Sequence, residues 1–446
     1  MRVFSRRKRP LYLGKYAMEK IKRVDKPTTL ITESVRRVPK RADFFVRASY
    51  GDLGRKASQE IRRFITKSPL SAAIGHLHWK QVPAHKGEPA PDKAPLPSDP
   101  EELAKHIKSL CTFLDADMVG ICEMPDYAWY SHDAEGAPVE AKHKYAIVLV
   151  IDQGWDTFEG ASGDDWISGT QSYRAYLKGS TIACILADYI RRLGYPAQAH
   201  SNANGEVLQI PLMLLAGLGE MSRIGELVLN PFIGPRHKTA VVTTDLPLAV
   251  DKPIDFGLQD FCSKCRKCAR ECPAQAIPYG DKVLYNGYEI WKPDVEKCAK
   301  YRVINPRGSA CGRCMKMCPF NKEGLMAHRL ALWLSIKLPF TRRFLIWLDD
   351  ALKYGVRTPS KKWWFDFEVV NNKIIKPGGV HRRDLTLDRD APGGNELIAL
   401  YPVEKLPRPS QKTTVAVDRK QGLEDCRQAM RQLQERKHEC AATARS

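Results

Sequence analysis

The chain runs to 446 residues, 43% of them hydrophobic, with 71 lysines and arginines against 51 aspartates and glutamates and a formal charge of +20. A chain of that size and apolar content buries one large core or two moderate ones, which excludes wholesale disorder. It also excludes a membrane span, because the apolar stretch 331–348 is broken by Lys337, Pro339, Arg342 and Arg343, well short of the roughly 20 residues a span requires.

Residues 1–98 read as a basic N-terminal region that ends in a connector. Arg6 and Arg7 resemble a twin-arginine export signal, yet Lys15, Lys20, Lys22 and Arg23 follow where an apolar run belongs, so retention in the cytoplasm is expected. Pro83, Pro89, Pro91, Pro95, Pro97 and Pro100 then break up any regular structure. A helix starts sharply after them: Asp99 caps it, Pro100 takes the first helical position, and Glu102 completes a capping box ahead of Leu103, Ile107 and Leu110. Residues 118–121 and 145–151 are apolar runs of strand length, and the second does not alternate, which predicts burial on both faces.

From 171 to 192 the apolar period is helical, with Ile182, Ile185, Leu186, Tyr189, Ile190 and Leu193 on one face and Gly194 as the stop. A second stripe of this helix holds Tyr176, Gly179, Ser180, Ala183 and Ala187, nearly free of side chains below its leading tyrosine. Such a stripe serves either close packing of a neighbouring element or the approach of something flat to the backbone. Residues 197–200 and 239–243 supply further strands, so 99–254 reads as an α+β or α/β domain.

Eight of the 13 cysteines then fall into two blocks, Cys262-x2-Cys265-x2-Cys268-x3-Cys272-Pro273 and Cys298-x12-Cys311-x2-Cys314-x3-Cys318-Pro319. This is the ligand set of two [4Fe-4S] clusters in a ferredoxin-like unit over 255–325. Three cysteines of each block hold one cubane while the cysteine before proline crosses to the other. Cys262, Cys265, Cys268 and Cys318 are thus assigned to one cluster, and Cys272, Cys298, Cys311 and Cys314 to the second. Zinc sites or a disulfide framework would use similar counts but would rarely place proline after the last cysteine of both blocks. Oxygen-sensitive clusters beside unpaired Cys111, Cys122 and Cys184 suit a reducing compartment.

Residues 326–446 are expected to wrap back over the body, ending beyond about 405 in a loose polar tail that carries Cys440. The basic residues are scattered, with one dense run from Arg6 to Arg9, and this favours an acidic redox partner or an anionic substrate over nucleic acid. There is no phosphate-binding loop, no Cys-x2-Cys-His haem site and no Asp-x-His-x2-Gly motif to offer cobalt a histidine. Gly217-Leu218-Gly219 lacks the third glycine of a dinucleotide fingerprint, since Ser222 stands in its place.

Beyond the cysteines, Arg37-Val-Pro-Lys-Arg-Ala-Asp-Phe-Phe, Gly51-Asp-Leu-Gly, Ala216-Gly-Leu-Gly-Glu-Met-Ser-Arg, Thr244-Asp-Leu-Pro-Leu and Asp251-Lys-Pro-Ile-Asp-Phe-Gly together resemble the corrinoid-dependent reductive dehalogenases over roughly residues 35–370. The resemblance implies a nitroreductase-like α+β domain holding a base-off cobalamin that two [4Fe-4S] clusters supply with electrons. It implies catalytic roles for Tyr176 as proton donor, Lys238 as its basic helper and Arg302 as a further cation, with Tyr173 and Arg236 as the neighbours most easily confused with them. Cations beside a phenol favour its loss of a proton, so the trio is chemically coherent. Gly179, Ala183 and Asn202 become candidate contacts to the corrinoid. The implied substrate is an organohalide, a halogenated phenol by first choice because of the cations, and the electrons come from a separate donor such as a ferredoxin or flavodoxin.

Two other readings compete. Epoxyqueuosine reductase shares the corrinoid domain and clusters and acts on transfer RNA, but its aspartate-bearing segment is absent and Tyr176 stands in the corresponding helix. A non-enzymatic electron carrier is the other, and it leaves most of the chain without a task.

Overall fold

The structure is a computed structural model describing residues 9–381, 383, 385 and 395–443, of which 437–443 by backbone alone. Arg6, Arg7 and Lys8, and the side chain of Cys440, lie outside the described residues.

The body is built around four antiparallel strands, β1 (Met118–Glu123), β2 (Tyr145–Asp152), β3 (Ala197–His200) and β4 (His237–Thr244), in the spatial order β1-β2-β4-β3. The non-alternating run in β2 is buried on both faces, as the sequence predicts. Ile147, Leu149 and Ile151 point to one side, where α2 (Pro100–Phe113) and α3 (Ile167–Arg192) cover them with Leu103, Ile107, Ile182, Leu186 and Ile190. Ala146, Val148 and Val150 point to the other, against Leu212, Met213 and Leu214 of α4 (Gln209–Leu215).

Local signals fix the ends of the helices. The Asp99 side chain accepts a 2.9 Å bond from the Glu101 amide, and Gly194 at φ +82° stops the chain just beyond α3. The proline connector is tied down by backbone bonds from Ala90 to Arg191 and from Ala94 to Leu193, so it runs along the end of α3.

The region before the connector is more ordered than its composition suggests. It contains α1 (Pro69–Trp79), which packs on α3, and a short helix Phe44–Ser49 that Asp43 caps. The family-like segments meet here: buried Arg41 grips Asp52 through two bonds, at 2.9 and 3.1 Å, and Arg47 reaches Glu296.

The cysteine unit is seated directly on the body. Its helices α5 (Leu258–Lys264), α6 (Val295–Ile304) and α7 (Arg313–Met317) surround the eight thiols. Gly163, at φ +96°, lets the loop before α3 approach α7 so closely that a Cβ there would lie 2.7 Å from the Arg313 Cα. Arg313 is buried and bonds the Ser162 carbonyl across the same junction and Glu271 within the cysteine unit, each at 2.9 Å.

Residues beyond 325 do return over the body. A hairpin of α8 (Met326–Lys337) and α9 (Arg342–Ala351) lies on the cysteine unit, and Val369 donates its amide to the Lys67 carbonyl. The expectation of a loose tail is corrected: Arg419–Thr443 is a helix, α10. Its Cys426, Ala429 and Leu433 are buried, and the first two pack with Val283, Ile398 and Leu400. A polar sequence hid a narrow apolar stripe.

Candidate active site and cluster-binding unit

Two groups of neighbouring thiols can be distinguished by their mutual electrostatic influence. Burial raises the pKa of Cys268 most, and its next largest perturbers are Cys265, Cys262 and Cys318. Burial likewise dominates for Cys314, followed by Cys272 and Cys298, and for Cys311, whose neighbours include Cys314 and Cys298. The two sets adjoin, because Cys268 also acts on Cys314. Among the described residues no three potential ligands close on a single ion. A zinc ion binds sulfur at about 2.3 Å and would draw the thiols together, whereas a cubane holds its ligands further apart. Burial pushes Cys262 up to about 12 and Cys298 to about 11, a cost that iron removes by taking the thiolate.

The three candidate catalytic residues come from three elements, and two of them, Tyr176 and Lys238, are in contact. Tyr176 projects from the third turn of α3, half-buried. Lys238, near the start of β4 and paired in register with Ile151, puts its Nζ 5.1 Å from the centre of the Tyr176 ring. Arg302, on α6, acts on buried Tyr173, whose ring centre is 6.2 Å from that of Tyr176. Arg302 also acts on Cys298 and Cys314, so the second thiol set faces this site. Arg236, the cation most easily confused with these, is engaged elsewhere: it binds Asp152 at 2.8 and 3.1 Å and Asn321 at 2.7 Å.

The other candidates do not join them. A Cβ on Gly179 would meet Ala240 and Ile151, both at 3.3 Å, and Ala183 is fully buried in the core between α3 and the sheet. The small-residue stripe therefore serves the close approach of helix to sheet, and the expected corrinoid contact at Gly179 and Ala183 is corrected accordingly. Asn202 is exposed in the loop after β3.

Sequence reasoning missed His78. It is fully buried on α1, nearly parallel to Tyr176 at an interplanar angle of 15°, with 6.2 Å between ring centres. Neither of its ring nitrogens has a hydrogen-bond partner. The one sequence signal was its place on the buried face of α1 with Ser71 and Gly75, spaced at four and three residues.

Burial, helped slightly by His85, pushes the His78 pKa down to about 4 from an ordinary 6.5. A folded pKa below the unfolded one means that the unfolded chain binds the extra proton. The stability this neutral ring contributes is present above pH 6.5 and is lost as pH falls toward 4. Thermal unfolding of the anaerobic protein should therefore weaken between pH 6.5 and 4, and His78→Phe should flatten that slope by up to about 1.4 kcal/mol per pH unit.

Further unpaired buried atoms lie along the seam between α3 and the cysteine unit: Trp166 Nε1, Thr170 Oγ1, Arg302 Nε and Ser309 Oγ. Each costs about 1–3 kcal/mol if it stays unpaired. A large ligand rich in amide groups fits such a seam, and a purely apolar one does not.

Comparison with known proteins follows the same outline. Residues 261–322 match the 4Fe-4S dicluster domain family. The tetrachloroethene reductive dehalogenase of Dehalobacter restrictus is 34% identical over 334 residues, 60% of this chain and 59% of that protein. The catabolic reductive dehalogenase NpRdhA in complex with 3-bromo-4-hydroxybenzoic acid superposes with a TM-score of 0.91 at 53% identity, over 94% of this chain and 61% of that one. A reductive dehalogenase structure described as suggesting a mechanism for B12-dependent dehalogenation gives a TM-score of 0.94 at 51% identity, over 98% of this chain and 64% of that one. The chain thus spans less than two thirds of the length of these relatives. In fold, and in sequence along nearly all of its own length, it is similar to the reductive dehalogenases.

Proposed function

We propose that the chain removes halide reductively from an organohalide at a base-off cobalamin, with electrons arriving singly through the two clusters and Tyr176 delivering the proton. The observation that carries this reading is the meeting of Tyr176 and Lys238 at 5.1 Å, with Arg302 linking that site to the Cys298 and Cys314 thiols.

When bound, low-valent cobalt supplies the electrons that break the carbon–halogen bond. The chain supplies the rest. Trp166, Thr170 and Ser309 line the seam where the amide groups of a corrinoid would find partners. The eight cysteines hold the clusters, and the second set lies beside the site. In total the substrate carbon takes up two electrons and one proton while halide departs. Tyr176 gives up that proton from its hydroxyl oxygen, and the Lys238 ammonium beside the ring stabilises the phenolate left behind.

Lys238 and Arg302 favour a substrate that is itself anionic, and a halogenated phenol meets that requirement as its phenolate. The relative bound to 3-bromo-4-hydroxybenzoic acid carries a ligand of this kind. Oxygen-sensitive clusters and the unpaired Cys111, Cys122 and Cys184 suit a reducing compartment, so we place the reaction in the cytoplasm with a separate electron donor.

Anaerobic protein loaded with iron, sulfide and cobalamin should release bromide from 3-bromo-4-hydroxybenzoate when given titanium(III) citrate. Failure to retain any corrinoid would overturn the reading.

A further inference from the structure

We propose that the outer face of the α8–α9 hairpin is the docking surface for an acidic one-electron carrier protein, which delivers electrons to the cluster held by Cys262, Cys265, Cys268 and Cys318. The inference deepens the electron-fed reading above and rests on it for where the electrons go next.

The hairpin is the lid of that cluster. Leu332 and Ile336 of α8 and Ile346 of α9 pack inward on a group that includes all four thiols. Ion pairs pin the lid in place, Arg342 to Asp260 at 2.6 Å and Arg270 to Asp350 at 2.9 Å, while Lys267 binds Asp349. A single helix layer, about 10–12 Å across, thus separates these thiols from solvent. Cys298 of the other thiol set lies one turn before Arg302 on α6, and in the reading above Arg302 belongs to the reacting site, so the first set receives electrons and the second hands them on.

The outer face has the composition of a contact surface. Met326 is 86% exposed, Leu330 57%, Trp333 53%, Phe340 80%, Phe344 57% and Trp347 49%. On α8 the positions 326, 330, 333 and 337 recur at steps of three and four, which puts them on one face. Scattered exposed apolar residues need no explanation, but this many on one hairpin mark an interaction site. Aromatic residues and methionine form the centre, as at protein interfaces, and Arg329, Lys337, Arg343 and Lys353 stand exposed around them.

The sign of the charge selects the partner. Between 325 and 353 the acidic residues are Asp349 and Asp350, both buried and bound to Lys267, Lys322 and Arg270. The exposed charge there is therefore wholly positive, which steers an acidic protein toward the face. An anionic membrane would accept the same composition, but it would give no reason for the face to lie over a cluster. In each encounter the carrier is oxidised by one electron and the cluster is reduced by one, with no bond made or broken.

The test uses the full chain with both clusters assembled and follows cluster bleaching by stopped flow, with reduced plant-type [2Fe-2S] ferredoxin as the probe and titanium(III) citrate as the control. The double variants K337E/R343E and W333A/F344A should each slow reduction by ferredoxin tenfold or more, with titanium(III) citrate rates unchanged. The wild-type ferredoxin rate should also fall as salt rises.

Unchanged ferredoxin rates in both variants would overturn the proposal, as would an equal fall with both reductants. If W333A/F344A instead lost binding to vesicles of phosphatidylcholine and phosphatidylglycerol, or turned a dimer into a monomer, while ferredoxin rates held, the face would belong to a membrane or to a second copy and the proposal would fall. Halide release is no part of the readout, so these results stand apart from the fate of the dehalogenase reading.

Discussion

Replacing Tyr176 by phenylalanine is expected to lower dehalogenation by about 100-fold to 10,000-fold, the range a positioned general acid contributes. The change removes one oxygen and keeps the ring. The stacked contact with His78, the edge contact with Tyr173 and the position of the Lys238 ammonium over the ring should therefore survive. Corrinoid content and the cluster spectrum should match the wild type, and the loss should sit in kcat more than in KM, because the proton is needed in the transition state and not for binding. Lys238→Ala should behave differently. It removes a charge that serves both the phenolate and an anionic substrate, so KM should rise as kcat falls. If Tyr176→Phe turns over at the wild-type rate, the proton comes from another group and the assignment of Tyr176 fails.

The second large effect concerns which cysteine serves which cluster. Cys272 lies in the first sequence block, but the crossing rule assigns it to the second set, and it acts on Cys314 alongside Cys298. Cys272→Ala should therefore resemble Cys298→Ala and differ from Cys262→Ala. Each should leave one intact cluster and about half the iron, and Cys272→Ala should spare the cluster under the α8–α9 hairpin. Reduction by ferredoxin should then persist while turnover collapses, since the electron stops short of Arg302 and Tyr176. Iron analysis and low-temperature EPR of the three variants settle the grouping. A Cys272→Ala spectrum that matches Cys262→Ala would replace the crossed arrangement by a sequential one.

Much of this was legible before any coordinates, for reasons that differ between residues. The cysteine spacing is a geometric constraint on a rigid cube, so it survives translation into three dimensions almost unchanged. The run in β2 announced its double burial because no polar residue interrupts it, and α2 and α3 end where Asp99 and Gly194 say they should. Lys238 and Arg302 were named through resemblance alone; nothing in their local sequence separates a cation beside a phenol from one in water.

What was not legible depended on tertiary contact. The stripe of Gly179 and Ala183 admits two partners, and only the positions of Ile151 and Ala240 show that the sheet takes it. α3 begins at Ile167, before its apolar period becomes visible, because Gly169 and its neighbours are buried against Ser309 of the cysteine unit. His78 is one histidine among 11, and its importance lies in what it stacks on. The helix at Arg419–Thr443 was hidden by its polar composition, since a narrow buried stripe that includes Cys426, Ala429 and Leu433 suffices to dock it.

The backbone contact at Gly163 reaches beyond its immediate surroundings. A segment that could be lifted out and transplanted would meet its neighbour through side chains that can be redesigned one at a time. Here the main chain of one part rests on the main chain of another, with Arg313 threaded between them. The iron-binding portion is accordingly no cassette. Grafting it onto a different scaffold, or exchanging it with a foreign ferredoxin, would have to carry the loop before α3 along with it.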